Sequence, residues 1–169
     1  MKTTTRTFSR MGLIASLYVV LSLISFPVAS GAIQFRLSEG LTILPIIFPE
    51  TTIALMVGCF LTNLITGCAI FDVVFGGLIT LVAGLLTYLT AKVIKNTATK
   101  IVVGGIFPVA LNAFLLPLIW IWCYGVLEYA FLLQVGFLLI SQSISVYAFG
   151  TPIYLATNKL KNRGVKFFT

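Results

Sequence analysis

The sequence contains no histidine, only four acidic residues and only three cysteines. Without histidine the chain has no Ser/His/Asp or Cys/His catalytic set and no HExxH zinc motif. It also lacks the GxxxxGK[ST] phosphate-binding loop, so it does not hydrolyse ATP by that route. The cysteines, Cys59, Cys68 and Cys123, show no CxxC spacing. We therefore expect no enzyme, no metal site and no cofactor.

Hydrophobic residues dominate what is present. They make up 59% of the 169 residues, against 9% charged residues, and the mean hydropathy is +1.11. Such a composition is far from that of a soluble domain. Apolar runs occupy residues 11–29, 41–48, 51–67, 73–91, 101–122 and 129–156. We predict an all-α integral membrane protein, a single membrane domain over residues 1–169, embedded in a lipid bilayer.

The second apolar run is too short to cross a membrane alone, since a crossing takes about 20 residues at about 1.5 Å each. Residues 41–67 therefore form either one helix kinked around Pro45 and Pro49, or a short helix and a second helix joined by a tight turn at Pro49-Glu50. The first alternative gives five spans and the second gives six. If the second helix is short, the segment before it must reach into the membrane, where it becomes a candidate cavity wall or lid.

The positive charge decides between five and six spans. The basic residues behind the net charge of +7 form three clusters, which are Lys2, Arg6 and Arg10, then Lys92, Lys95 and Lys100, then Lys159, Lys161, Arg163 and Lys166. Lysine and arginine near span ends stay in the cytoplasm, and only six spans put all the clusters on one side. We predict six transmembrane helices with a short second helix, both termini cytoplasmic, in a bacterial plasma membrane. Because the basic residues do not line a helix face, we expect no nucleic acid partner.

Only four side chains that are charged at neutral pH lie outside the basic clusters and Glu50, namely Arg36, Glu39, Asp72 and Glu128. The predicted topology puts them in the outer half of the membrane, where charged side chains usually face a cavity or pair with one another. Each also has a structural interpretation. Arg36 and Glu39 are suitably spaced to pair at a helix start, Asp72 to cap the following helix, and Glu128 to lie in a solvated loop.

Asn63 and Asn112 occur in the middle of apolar runs, where an amide either binds a polar ligand or links neighbouring helices. Aromatic residues surround the predicted outer ends of the last two helices. They are Trp120, Trp122, Tyr124 and Tyr129. This position is typical of an interfacial belt, and the alternative is that one or two of the rings stack on a flat ligand.

The first apolar run carries Gly12-x-x-x-Ser16 beside Ala15. Small residues at this spacing let another helix approach closely. The pattern fits an internal helix contact as well as a contact with a partner protein.

Residues 31–45, GAIQFRLSEGLTILP, resemble the signature of the QueT family, the substrate-binding S components of energy-coupling factor (ECF) transporters. The similarity continues through GCFLTN at 58–63 and DVVFGGLITL at 72–81, and it fades after residue 91. Helix one has Gly12 and Ser16 where relatives carry an alanine-x-x-x-alanine pattern.

The resemblance implies an S component that captures a queuosine precursor outside the cell, a deazaguanine base such as queuine, preQ0 or preQ1. An ECF transmembrane coupling protein and two ATPase subunits would then drive uptake. A deazaguanine needs a carboxylate for its N–H groups, an amide for its carbonyl edge and an aromatic face. The candidate substrate-binding residues are Arg36, Glu39, Asn63, Asp72, Asn112, Trp122 and Tyr124, and the candidate partner contacts are Gly12, Ala15 and Ser16.

Three alternatives remain open from the sequence. The chain is instead an S component for another small vitamin or heterocycle, or a homo-oligomeric channel or packing protein that uses Gly12, Ser16, Gly76 and Gly77. A membrane enzyme, the third alternative, needs a catalytic carboxylate pair such as Glu39 and Asp72.

Overall fold

The computed structural model describes residues 5–29, 33–125, 127 and 129–165, and in these ranges every regular element is a helix. The helices are α1 (Thr5–Ala29), a 3₁₀ helix (Leu37–Ile46), α2 (Thr51–Ile65), α3 (Ile70–Val93), α4 (Thr97–Tyr124) and α5 (Phe131–Asn162), which includes a π-helical segment at Ile144–Phe149. These six helices follow the six predicted apolar runs one for one. The all-α fold is therefore confirmed.

Four of the helices, α1, α3, α4 and α5, are long and apolar enough to cross a membrane. The 3₁₀ helix and α2 have 10 and 15 residues. At about 2.0 and 1.5 Å per residue they are both roughly 20 Å long, shorter than a hydrocarbon core of about 30 Å. Residues 41–67 form two helices rather than one kinked helix, as predicted. That all six helices cross the membrane stays a prediction.

The 3₁₀ helix lies at the centre of the bundle and contacts all five α-helices. Its residues from Ser38 to Pro45 are all buried. The predicted second helix, at residues 41–48, was misplaced by a few residues, because helical winding already begins at Leu37. The 3₁₀ helix runs so close to α5 that a Cβ on Gly150 would lie 2.7 Å from the carbonyl oxygen of Gly40.

The face of α3 that points outward is apolar, and the face that points inward is small and partly polar. Leu78, Val82 and Leu85 are exposed, whereas Thr80 and Thr87 on the other side are buried. The Thr87 hydroxyl donates a hydrogen bond of 2.8 Å to the backbone carbonyl of Gly104 in α4. Apolar side chains outside and hydrogen-bonded threonines inside are the arrangement expected of helices in lipid.

One end of the bundle, here called the basic end, is closed by charged residues packed around Phe48. Arg10 of α1 forms a salt bridge of 3.4 Å with Glu50 at the start of α2, and its guanidinium lies 4.0 Å from the centre of the Phe48 ring. Lys161 of α5 lies 5.1 Å from the same ring centre and donates to the carbonyl of Ile47. The first and last helices of the chain therefore place basic residues at the same end.

Candidate binding site

A polar cavity of about 140 Å³ lies at the end of the bundle away from the basic end. Its wall contains the beginning of the 3₁₀ helix, the second half of α2, the first half of α3, the second half of α4 and Gln142 in the middle of α5. The lining residues are Gln34, Arg36, Glu39, Cys59, Asn63, Cys68, Asp72, Gly76, Thr80, Asn112, Leu116, Trp120 and Gln142. The cavity therefore gathers polar side chains from five segments of an otherwise apolar chain.

Glu39 lies deep in the cavity wall, with 3% of its surface exposed. The hydroxyl of Tyr18 donates to its Oε1 at 2.5 Å, and the amide of Asn112 donates to its Oε2 at 3.3 Å. The same Asn112 nitrogen lies 3.4 Å from the amide oxygen of Gln142. A carboxylate oxygen has two lone pairs, so each oxygen of Glu39 retains acceptor capacity for a ligand.

Arg36 lies in the cavity wall next to α2. Its backbone is extended at the start of the 3₁₀ helix, two residues after Gln34, whose φ of 43° turns the chain. The Arg36 guanidinium donates to the side-chain oxygen of Asn63 at 3.0 Å, and the Asn63 amide donates to the backbone carbonyl of Asp72 at 3.0 Å. Arg36 therefore donates to Asn63 of α2. The interpretation in which Arg36 pairs with Glu39 at a helix start predicted a different partner.

Asp72 lies in the first turn of α3 and faces the end of α4. Its Oδ1 accepts a hydrogen bond of 2.8 Å from the indole nitrogen of Trp120, and its Oδ2 accepts one of 3.2 Å from the Tyr124 hydroxyl. The N-cap residue of α3 is Ala69, which makes no side-chain capping bond. The interpretation of Asp72 as an N-cap was therefore wrong, and its carboxylate joins α3 to α4 instead.

Trp122, an expected substrate-binding residue, does not reach the cavity. It is 83% exposed and borders an apolar groove on the outside of α3 and α4. Trp120 lines the cavity in its place. Two residues along an α-helix point about 200° apart, so the two indoles face nearly opposite directions. Glu128, the remaining candidate carboxylate, lies outside the described residues.

Five of the seven expected substrate-binding residues line the cavity. They are Arg36, Glu39, Asn63, Asp72 and Asn112. Tyr124 is held next to them by Asp72. Tyr18 and Gln142 were not among the predicted site residues. Gln142 carries the same signal as Asn112, an amide inside an apolar run. Nothing in the local sequence distinguishes Tyr18.

The small residues of α1 lie on two different faces. Gly12 and Ser16 are exposed, and a Cβ on Gly12 would meet nothing within 4 Å. Ala15 faces inward, and its carbonyl oxygen would lie 3.1 Å from a Cβ on Gly58 of α2. Gly12 and Ser16 therefore leave a shallow strip on the outer surface, while Ala15 packs within the bundle.

The glycines of α3 serve internal packing. A Cβ on Gly76 would lie 2.8 Å from the amide nitrogen of Asn63, and one on Gly77 would lie 3.7 Å from the carbonyl oxygen of Met56. Both glycines are buried against α2. They are thus not exposed for contact with a second copy of the chain.

An apolar helical bundle around a polar cavity is the architecture of a multi-pass membrane protein. The profile of the QueT transporter family matches residues 8–159. The chain therefore belongs to the QueT transporter family and is a membrane transport protein rather than an enzyme. A comparison with curated proteins and a comparison with solved structures each gave no match.

Proposed function

We propose that this chain is the substrate-binding S component of an ECF importer and that its substrate is a queuosine precursor, a deazaguanine base such as queuine, preQ0 or preQ1. The observation that carries the proposal is the cavity itself. It is small and polar, and its lining contains two carboxylates, one guanidinium and four amides besides an indole, in a member of the QueT transporter family. Charged groups inside a membrane bundle are costly and usually serve a ligand or an ion path.

The cavity volume suits a small aromatic ligand. An engineered protein cavity of about 150 Å³ holds benzene, and the volume here is about 140 Å³ before any adjustment to a ligand.

The lining groups match the hydrogen-bonding pattern of a deazaguanine. Its ring N–H and exocyclic amine need an acceptor, which the free lone pairs of Glu39 supply. Its carbonyl needs a donor, which we assign to Arg36 or to the amide of Gln142. Trp120 takes the stacking role that the sequence assigned to Trp122, because its indole borders the cavity.

The proposal includes six membrane crossings with both termini in the cytoplasm. Arg10 and Lys161 meet at the basic end, and lysine and arginine next to spans are retained on the cytoplasmic side. With that orientation the cavity lies toward the outside of a bacterial plasma membrane, where a substrate is captured. The sequence contains no ATP-binding loop, so energy must come from partners, which we propose are an ECF coupling protein and two ATPase subunits.

Equilibrium binding to the detergent-purified chain alone tests the proposal. Isothermal titration with queuine, preQ1 and preQ0, with guanine and riboflavin as controls, should show saturable binding of at least one deazaguanine without ATP or partners. Binding of riboflavin alone would make the chain an S component for another vitamin. Self-association without saturable binding of any of them would support the homo-oligomeric alternative.

A further inference from the structure

The formal charges around the cavity do not balance. Among the described lining residues the ionisable side chains other than cysteines are Arg36, Glu39 and Asp72, one positive and two negative. An uncompensated charge in a cavity between apolar helices is unfavourable, because it is less well solvated there than in bulk water. A ligand that brings one positive charge removes the imbalance.

The two carboxylates differ in their surroundings. Glu39 lies three residues after Arg36, the N-cap residue of the 3₁₀ helix, and the two side chains attract each other electrostatically. Asp72 is held by Trp120 and Tyr124, which are both neutral donors. Asp72 is therefore the carboxylate whose charge is not matched by a cationic neighbour in the described wall.

The Asp72 carboxylate has acceptor capacity for a third donor. Each of its oxygens accepts one hydrogen bond from α4, and each can accept another. The Trp120 indole that donates to Asp72 also borders the cavity, so a group that pairs with Asp72 lies beside the ring on which we propose that the base stacks. An ammonium group placed there meets a carboxylate and an aromatic ring together.

We propose that the ligand is a cation, a flat base with a protonated amine side chain, and that Asp72 pairs with this amine while Glu39 reads the base edge. This inference rests on the proposed function and narrows it. Queuine and preQ1 carry an aliphatic amine, which is protonated at neutral pH as lysine is. In preQ0 a neutral nitrile replaces the amine, and guanine has no side chain. The cavity therefore selects queuine and preQ1 over preQ0 and guanine.

Binding of preQ1 and preQ0 to the wild-type chain and to Asp72→Asn tests the assignment. The substitution keeps the size of the side chain and removes its charge. The wild-type chain should bind preQ1 at least about tenfold more tightly than preQ0, since a charged hydrogen bond is stronger than a neutral one. Asp72→Asn should weaken preQ1 binding about 10- to 100-fold and change preQ0 binding less than about threefold.

Glu50→Gln is the matched control, because it also removes one carboxylate but at the basic end, next to Arg10. Loss of that ion pair lowers the stability of the fold, whereas the ratio of the two ligand affinities is measured on the folded chain. Glu50→Gln should leave the preference for preQ1 unchanged.

Retained preQ0 binding shows that Asp72→Asn still folds, and the wild-type comparison of preQ1 with preQ0 needs no variant at all. Equal wild-type affinity for preQ1 and preQ0, or equal losses for both ligands in Asp72→Asn, would overturn the charge assignment while leaving the S-component proposal intact. Failure of every deazaguanine to bind would overturn both.

Discussion

At the basic end Arg10 meets Glu50, and the cationic groups of Arg10 and Lys161 both lie close to the Phe48 ring. At the cavity end, Asp72 meets Trp120 and Tyr124 instead. Opposite charges that pair directly fill the space between helices. Charges that hydrogen-bond to neutral side chains stay apart and leave a cavity with unused acceptors. The same chain thus uses charge for closure at one end and for an accessible site at the other.

The largest effect is expected from breaking the closed end with Arg10→Met. The side chains of Arg10 and Glu50 are only 6% and 12% exposed, so the substitution leaves a nearly buried carboxylate without its partner. Such a loss costs about 3–5 kcal/mol. Thermal unfolding in detergent should show a clearly lower midpoint. The double variant Arg10→Met/Glu50→Gln should recover most of the loss, and a double variant as unstable as the single one would show that the pair is not the cause.

Glu39→Gln tests the opposite end and should affect binding more than folding. It keeps the shape of the side chain but removes the charge that receives the base edge, which costs about 1.5–3 kcal/mol of binding energy. Titration with preQ1 or queuine should show affinity about 10- to 100-fold lower, with an unfolding midpoint near that of the wild type. An unchanged affinity would remove Glu39 from the site and, if Asp72→Asn were also silent, would reject the cavity as the binding site.

A smaller effect is expected at adjacent glycines of α3. In Gly76→Ala the new methyl group would lie 2.8 Å from the Asn63 amide, whereas in Gly77→Ala the nearest atom is 3.7 Å away. The first change should displace Asn63 from the Asp72 carbonyl and lose a hydrogen bond worth about 0.5–1.5 kcal/mol, seen as a several-fold weaker ligand affinity. Gly77→Ala is the matched control and should bind normally. Equal affinities would mean that the Asn63 contact does not shape the cavity.

The smallest effect on the isolated chain is expected from Gly12→Leu and Ser16→Leu. Both positions are exposed, so stability and ligand affinity should stay unchanged. If this strip of α1 binds the coupling protein, bulky side chains should prevent close helix approach and abolish co-purification with the partner subunits. Val82→Leu, on the lipid-facing side of α3, is the control. Normal assembly of both α1 variants would place the partner contact elsewhere.

Much of the architecture follows from local sequence. Apolar runs, the interruption at Pro49-Glu50 and the three basic clusters were enough to predict the helices and their number, because hydropathy and helix breaks are properties of neighbouring residues. Five of the residues that line the cavity could also be predicted from the sequence, since a charged or amide side chain in an apolar run is rare and usually faces inward. Which side chains of each helix face the cavity could not be predicted from the sequence. Trp122 was expected in the cavity wall, and Trp120 occupies that position instead.

By itself, the sequence determined that the chain is a helical membrane protein of the QueT transporter family with its basic residues in clusters. Only the tertiary structure decided that a 3₁₀ helix occupies the centre and that Tyr18 and Gln142 join the polar network. The physical reason is distance along the chain. Asn112 contacts Glu39 across 73 positions and Gln142 across 30, and such contacts depend on how helices rotate and pack against one another, which no local pattern specifies.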